Sequence, residues 1–117
     1  MTDDQLSFNL ADLVTPEYGE HLTIQERFEA FHAANPWVYQ ALEALAADWL
    51  AHGHKRVGVK ALFEVIRWQY GRRTADPSSA WRVNNDYSSR YARLLIDRHP
   101  EWCDAIEIRA LRERVAA

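Results

Sequence analysis

A proline inside a long helical pattern is the feature that most limits how this chain can fold. Apolar residues recur at helical spacing from Thr23 to Gly53, and Pro36 interrupts this pattern. Proline disfavours helical backbone in the residue before it, and it is a good first residue of a new helix. The sequence therefore predicts two helices, over 24–34 and 36–52, that meet at Asn35.

Residues suited to helix ends support these boundaries. Thr23 followed three residues later by Glu26 is a capping box, in which each side chain bonds to the backbone amide of the other residue. The side chain of Asn35 is predicted to cap the second helix. Gly53 suits the left-handed backbone that often follows a helix.

Three further helices are predicted over 59–70, 86–98 and 101–112. Asp86 is placed to cap the helix over 86–98, with Asn85 as the alternative. Before it lies a breaker-rich segment, 72–83, whose residues 80–83 could form one strand of a small wing. Loops of this length are uncommon in compact domains and are often functional.

The fold class that follows is all-α: a compact domain of four to five helices. The tri-helical core would resemble a helix-turn-helix, although a tight version joins its last two helices by three or four residues. Residues 1–22 are predicted to form an acidic, flexible tail, whose apolar residues could still dock, and 23–117 a single domain. The predicted core contains Phe28, Phe31, Val38, Leu42, Leu45, Trp49, Leu62, Phe63, Ile66, Tyr91, Leu94 and Leu95.

Charge is segregated along the chain, although the net charge is only −3. Residues 1–54 hold nine acids and one basic residue, Arg27, whereas residues 55–98 hold ten basic residues and four acids. A basic block of this kind is typical of proteins that bind nucleic acid. The alternative is that the block binds the acidic half of the same chain.

The segment 83–96 carries the residue types that recognise nucleic acids. Asparagine and arginine pair with adenine and guanine edges, and serine and arginine bind phosphates. Short polar side chains at a helix start can also leave backbone amides open to an anion. The alternative is an ordinary capped core helix. The candidate nucleic-acid-binding residues are Asn84, Asn85, Ser88, Ser89, Arg90 and Arg93, with Arg72, Arg73, Arg82, Lys55, Arg56 and Lys60 as phosphate contacts.

Motifs of catalysis and metal binding are missing. The chain has no glycine-rich phosphate loop, GxSxG elbow or HExxH motif. His52 and His54 are interpreted as exposed turn residues, because no partner ligands show matching spacing. Cys103 is predicted to be a buried structural cysteine rather than a nucleophile with His99 as base. We therefore expect no enzyme activity, cofactor or metal.

The N-terminus lacks the features of a signal peptide, and no apolar run approaches the length of a membrane span. A cysteine count of one excludes an internal disulfide framework. These observations predict a cytoplasmic protein without a membrane partner. A dimer is compatible with the sequence.

A resemblance follows from three motifs, "RFEAFHAANPWVYQALEALA", "VKALFEVIRW" and "VNNDYSSRYARLLIDRHPEW" with "IRALR". Over residues 26–112 the chain resembles a group of small uncharacterised proteins of phages, prophages and bacterial mobile elements. The resemblance implies two classes of function, a small DNA-binding regulator and a protein that binds and disarms a host factor. From the residues we expect duplex DNA as the partner. The alternative is an inhibitor or adaptor that binds a host protein through the same surface or through its acidic half, which could mimic nucleic acid.

Overall fold

The structure is a computed structural model that describes residues 10–19, 21–73 and 83–108 and confirms the all-α class. Its elements are α1 (Ile24–Ala34), α2 (Pro36–Ala51), α3 (Val59–Arg73), α4 (Tyr87–Arg98) and a 3-10 helix, Pro100–Trp102. Each α-helix packs against two others, in the cyclic order α1, α2, α3, α4 and back to α1. The 3-10 helix packs against α4.

The predicted capping box of α1 is confirmed. Thr23 Oγ1 accepts a hydrogen bond from the Glu26 amide at 3.1 Å, and Glu26 Oε1 accepts one from the Thr23 amide at 2.8 Å. Gly53 follows α2 with a φ of 94°, a left-handed conformation that glycine adopts without strain. The start of α1 and the end of α2 therefore lie where the local side chains and backbone favour them.

The predicted capping of α2 by Asn35 is wrong. Asn35 is 0 % exposed and makes no side-chain cap. Its Oδ1 accepts from the Val14 amide at 2.8 Å, and its Nδ2 donates to the Val14 carbonyl at 2.7 Å and to the Phe31 carbonyl at 3.1 Å. A long-range pairing with the segment before α1 has replaced the local cap.

The segment 10–19 lies against the helices at several other points. Leu10 and Leu13 pack on the core, and the Leu13 amide donates to the Tyr70 hydroxyl at 3.2 Å. Asp12 pairs with Arg73 of α3 at 3.3 Å. This part of the predicted tail thus contributes buried apolar surface to the domain, whereas Leu6 and Phe8 lie outside the described residues.

Most of the predicted core is buried, but Trp49 is not. It is 43 % exposed, its ring stacks on His54 and its Nε1 donates to the Arg56 carbonyl at 2.7 Å. At the last turn of α2 the neighbour is this connecting turn rather than another helix, which explains the exposure. Leu94 is partly buried. Further buried residues are Trp37, Tyr39, Ala41, Ala46, Val57, Val59, Tyr70, Tyr87, Ala92 and Ile106.

Tyr91 lies at the centre of this core and is 0 % exposed. Its ring packs edge-on against Phe28 of α1 at 4.8 Å and Phe63 of α3 at 5.6 Å, and beside Tyr39 of α2 at 6.5 Å. Its hydroxyl is buried and makes no hydrogen bond with the described residues. One side chain of α4 therefore touches all three other helices.

The predicted helix over 101–112 is wrong for the residues that are described, since the chain leaves helical geometry after Trp102. A turn follows, in which the amides of Ala105 and Ile106 donate to the Trp102 carbonyl. The Val57 amide then donates to the Ala105 carbonyl at 2.9 Å, and Ile106 is buried beside Val57 in an isolated parallel bridge. This long-range pairing outweighs local helix propensity.

His99 joins the end of α4 to α2 through carboxylates. Its Nε2 lies 2.6 Å from Glu43 Oε2 and its Nδ1 3.2 Å from Glu101 Oε2, while its ring stacks on Trp102. The hydrogen bond with Glu43 raises the pKa of His99; burial opposes this, and Glu101 adds to it. The Tyr39 hydroxyl donates to Glu43 at 3.3 Å, and burial followed by Glu43 raises the pKa of Tyr39 to about 12.

Replacing His99 by glutamine should reduce stability more under acidic than under basic conditions. The pKa of His99 is raised on folding, so its contribution is complete below the unfolded pKa of about 6.5 and is lost as pH rises through the folded value. Urea unfolding near pH 5.5 and pH 8.5 measures the difference. The exposed His54→Gln serves as control, and an equal loss for His99→Gln at both pH values would contradict the expectation.

Candidate nucleic-acid interface

A groove of about 420 Å³ lies between α3 and the chain that leads into α4. It is lined by Lys60, Phe63, Glu64, Arg67, Val83, Asn84, Asn85 and Ser88. Four of the predicted binding residues, Lys60, Asn84, Asn85 and Ser88, are thus brought together. The other four, Phe63, Glu64, Arg67 and Val83, were not predicted to bind, although the spacing of Lys60, Glu64 and Arg67 places these three on one helical face.

The turn that starts α4 is built by Asn84, so the predicted capping by Asp86 or Asn85 is wrong. Asn84 Oδ1 accepts from the Asp86 amide at 2.8 Å, and the Asn84 carbonyl accepts from the Tyr87 amide at 3.0 Å. An asparagine side chain that bonds two residues ahead in this way mimics a backbone turn. Asp86 makes no side-chain cap. The turn aligns Asn84 and Asn85 with the groove.

Three amides at the start of α4 are used within the turn. The amides of Asp86, Tyr87 and Ser88 all donate there. The Ser88 hydroxyl donates to the Asn85 carbonyl at 3.0 Å, and the Ser89 hydroxyl to the Asp86 carbonyl at 3.3 Å. These three amides are therefore not open to an anion, and the nearby cationic side chains are the groups that can attract one.

Two cations border the groove. Lys60 is exposed and makes no ion pair within the described residues. Arg67 pairs with Glu64 at 3.2 Å, and both side chains are largely exposed. Exposed pairs of this kind contribute about 0–1 kcal/mol, so Arg67 can exchange Glu64 for an anionic group at little cost.

The remaining candidates on α4 do not face the groove together. Arg90 turns towards α1, where its Nε donates to Gln25 Oε1 at 3.0 Å, and its Nη1 donates to the Asp86 carbonyl at 3.4 Å. At about 100° per residue, Ser89 and Arg93 lie on the side of α4 opposite the buried tyrosines. The residues predicted to recognise bases thus lie on three different surfaces, which are the groove, the side of α4 next to α1, and the side of α4 away from the buried tyrosines.

The other predicted phosphate contacts do not line the groove. Arg72 and Arg73 belong to the last turn of α3 rather than to a loop, because that helix continues past Gly71. Arg56 lies 3.9 Å from Glu107, whereas Lys55 and Arg72 are exposed and without ion pairs among the described residues. Arg82 lies outside the described residues.

The acidic half covers little of the basic block. Within the described ranges, Asp12 with Arg73 is the ion pair that joins residues 1–54 to residues 55–98. The other described arginine pairs, Arg67 with Glu64 and Arg56 with Glu107, use acids from elsewhere. Most cations of the block are therefore accessible to a partner.

An apolar stripe lies on α3 next to the groove. Trp68 is 66 % exposed, and Val65, one turn before it, is also exposed. Both lie off the buried stripe of α3, which comprises Val59, Leu62, Phe63, Ile66 and Tyr70. The sequence contained this signal, because Trp68 does not fit the spacing of the core positions.

Among the described residues no three His, Cys, Asp or Glu side chains lie close enough to hold a metal ion. The prediction that Cys103 is buried is wrong, since Cys103 lies exposed in the turn after the 3-10 helix, beside Asp104. The prediction that His52 and His54 are exposed is confirmed. No helix in the described ranges has both the length and the apolar character needed to cross a bilayer.

Comparison of the chain with protein-family profiles, with curated proteins and with solved structures gave no match.

Proposed function

We propose that the protein is a non-enzymatic nucleic-acid-binding protein that uses the groove between α3 and α4. The observation that carries this proposal is the convergence of Lys60, Arg67, Asn84, Asn85 and Ser88 on one concave surface. Cations that position a backbone beside amides that can read base edges form the usual division of labour in such interfaces.

Each side chain has a distinct role in this proposal. Lys60 and Arg67 contact phosphates, and Arg67 gives up Glu64 when it does so. Asn84 already uses its Oδ1 in the turn, which leaves its amide nitrogen to donate. The Asn85 side chain makes no hydrogen bond with the described residues, so both its donor and its acceptor are available to a base edge. Arg72, in the last turn of α3, adds a further positive charge on that helix.

Salt dependence tests the proposal directly. If the groove binds phosphates, log affinity falls linearly with log salt, by about 0.9 per phosphate neutralised on duplex DNA and about 0.7 on a single strand. The double variant Lys60→Gln, Arg67→Gln should weaken binding to all sequences and flatten the slope by about 1–2 units. Anisotropy titrations of labelled DNA or RNA at several salt concentrations measure both effects.

Arg27→Gln is the matched control, because it removes one positive charge from α1, away from the groove. It should leave the slope unchanged. The proposal fails if no nucleic acid binds at about 50 mM salt with tens of micromolar protein, where non-specific binding alone should be visible. It also fails if the groove variants and the control behave alike.

A second candidate function is binding of a protein partner, as an inhibitor or adaptor would do. The exposed pair Val65 and Trp68 favours it, because contiguous exposed apolar residues mark protein interfaces. Tryptophan is also enriched among the residues that dominate binding energy at such interfaces. In this case Val65 and Trp68 would both be needed for binding the partner.

A further inference from the structure

Trp68 is the most exposed of the large hydrophobic residues described, and the fold gives it no internal role. It makes no ring contact or hydrogen bond with the described residues. Its neighbours at helical spacing are Glu64 and Val65 one turn before it and Gly71 and Arg72 one turn after it. The indole is thus largely exposed to solvent, with the cation of Arg72 one turn away.

The distances along α3 relate this ring to the groove. At 1.5 Å per residue, Arg72 lies about 6 Å beyond Trp68 along the helix axis, and Lys60 about 12 Å before it. Glu64, one turn before Trp68, also lines the groove. Trp68 therefore lies beside the groove on α3, with Arg72 further along the helix and the groove cations Lys60 and Arg67 on the adjoining side.

The shape of this surface disfavours a duplex. A recognition helix must protrude from the protein surface to enter the major groove of DNA. Here the polar residues at the start of α4 line a concavity, Arg90 is bonded to Gln25 on α1, and Tyr87 and Tyr91 are buried. A flexible single strand can instead place an unpaired base on an exposed aromatic ring and its phosphates on neighbouring cations.

We infer that the nucleic acid bound by this protein is single-stranded, with one unpaired base stacked on Trp68 and the adjacent phosphates on Arg72 and on the groove cations Lys60 and Arg67. The inference rests on the proposed function and narrows it to one class of nucleic acid. It departs from the sequence-based expectation of duplex DNA. Val65 has no part in it, because its methyl groups offer a base nothing comparable to the indole face.

The test compares a labelled single strand of about 12 nucleotides, within the site sizes of small binding domains, with the duplex formed by its complement. Titrations use the wild type, Trp68→Ala, Trp68→Phe and the neighbouring control Val65→Ala. We expect the single strand to bind more tightly than the duplex. Trp68→Ala should weaken single-strand binding roughly 5- to 150-fold, Trp68→Phe less, and Val65→Ala should have no effect.

A second readout is tryptophan fluorescence. Single-strand binding should quench the emission of the wild type and quench that of Trp68→Phe less, because stacking brings the base against this indole. Circular dichroism of each variant checks that the helices are retained, which is expected because both positions are exposed.

Each other outcome has a defined meaning. Equal or tighter binding of the duplex, with Trp68→Ala unaffected, overturns the single-strand inference and leaves nucleic-acid binding intact. Absence of binding to both probes at low salt overturns both proposals. An equal loss for Val65→Ala and Trp68→Ala also overturns the inference, because it shows that the indole contributes nothing that the methyl groups of Val65 do not, which excludes base stacking.

Discussion

Replacing Tyr91 by alanine should lower the free energy of unfolding by about 3–5 kcal/mol, the range for large aromatic residues truncated in a core. The ring is 0 % exposed and contacts Phe28, Tyr39 and Phe63, one from each of the other three helices. Its removal leaves a cavity that no single helix can close by moving. Because small domains are stable by only about 5–15 kcal/mol, the variant should be partly unfolded at 37 °C.

Tyr91→Phe keeps the packed ring and removes only the hydroxyl, so it measures the contribution of the hydroxyl to stability separately from that of the ring. Burial raises the pKa of Tyr91, so the hydroxyl stays protonated, and it makes no hydrogen bond with the described residues. An unsatisfied buried polar group costs about 1–3 kcal/mol. We therefore expect Tyr91→Phe to be as stable as the wild type or more stable. Urea unfolding followed by circular dichroism measures both variants; a large loss for Tyr91→Phe would show that the hydroxyl has a partner.

Replacing Asn35 should have the second-largest effect. Its side chain makes three hydrogen bonds, two with the Val14 backbone and one with the Phe31 carbonyl. At about 1 kcal/mol for each bond, Asn35→Ala should cost about 2–4 kcal/mol and release the segment 10–19 from the helices. Limited proteolysis should then cut this segment faster than in the wild type, while urea unfolding gives the loss of stability.

Asn35→Asp preserves the shape and removes the donor. The carboxylate would face the carbonyl oxygens of Val14 and Phe31, so the cost at pH 7 should equal or exceed that of Asn35→Ala. Burial and these oxygens should raise the pKa of the new carboxyl in the folded state. The pH-dependent part of the penalty is then absent below the unfolded pKa of about 3.9 and grows as pH rises above it, while the loss of one of the two donated hydrogen bonds remains at every pH.

The wild type and the exposed Asn85→Ala, measured in parallel, correct for the general effect of acid. Asn85→Ala should stay within about 0.5 kcal/mol of the wild type. A penalty for Asn35→Asp that does not change with pH would contradict the assigned hydrogen bonds.

Local chemistry predicted α1 and α2 closely. The predicted helix over 24–34 has the bounds of α1, because the capping box and Pro36 act within a few residues of the ends they define. The end of α2 was also correct to one residue, since Gly53 provides a left-handed terminus. Signals of this kind depend on neighbours in sequence, so they can be read without the fold.

The predictions that failed concern residues whose environment is set by contacts with residues far away in the sequence. Asn35 is a good cap by type, but Val14 offers it a complete set of backbone partners 21 residues away. Trp49 has core spacing, yet nothing in the sequence shows that its turn of α2 extends past the other helices. Likewise, the predicted last helix fails because Ile106 is buried beside Val57.

The candidate site was predictable by residue type and only partly by position. Lys60, Asn84, Asn85 and Ser88 were identified from their chemistry and do meet in the groove. Arg90 has the same chemistry, but its bond to Gln25 on α1 directs it elsewhere. Residue type indicates what a side chain can recognise, whereas the packing of α3 against α4 decides which side chains share a surface.

Because Val57 pairs with Ile106, the core can be completed only late in the synthesis of the chain. Roughly 50 residues separate the two, and at about 5–20 residues per second a ribosome needs several seconds to make them. Until first Tyr91 and then Ile106 have been made, the apolar surface that these buried residues later cover stays open to water. We expect the nascent chain to be a substrate for chaperones until translation passes Ile106, and folding to occur in a single late step rather than helix by helix.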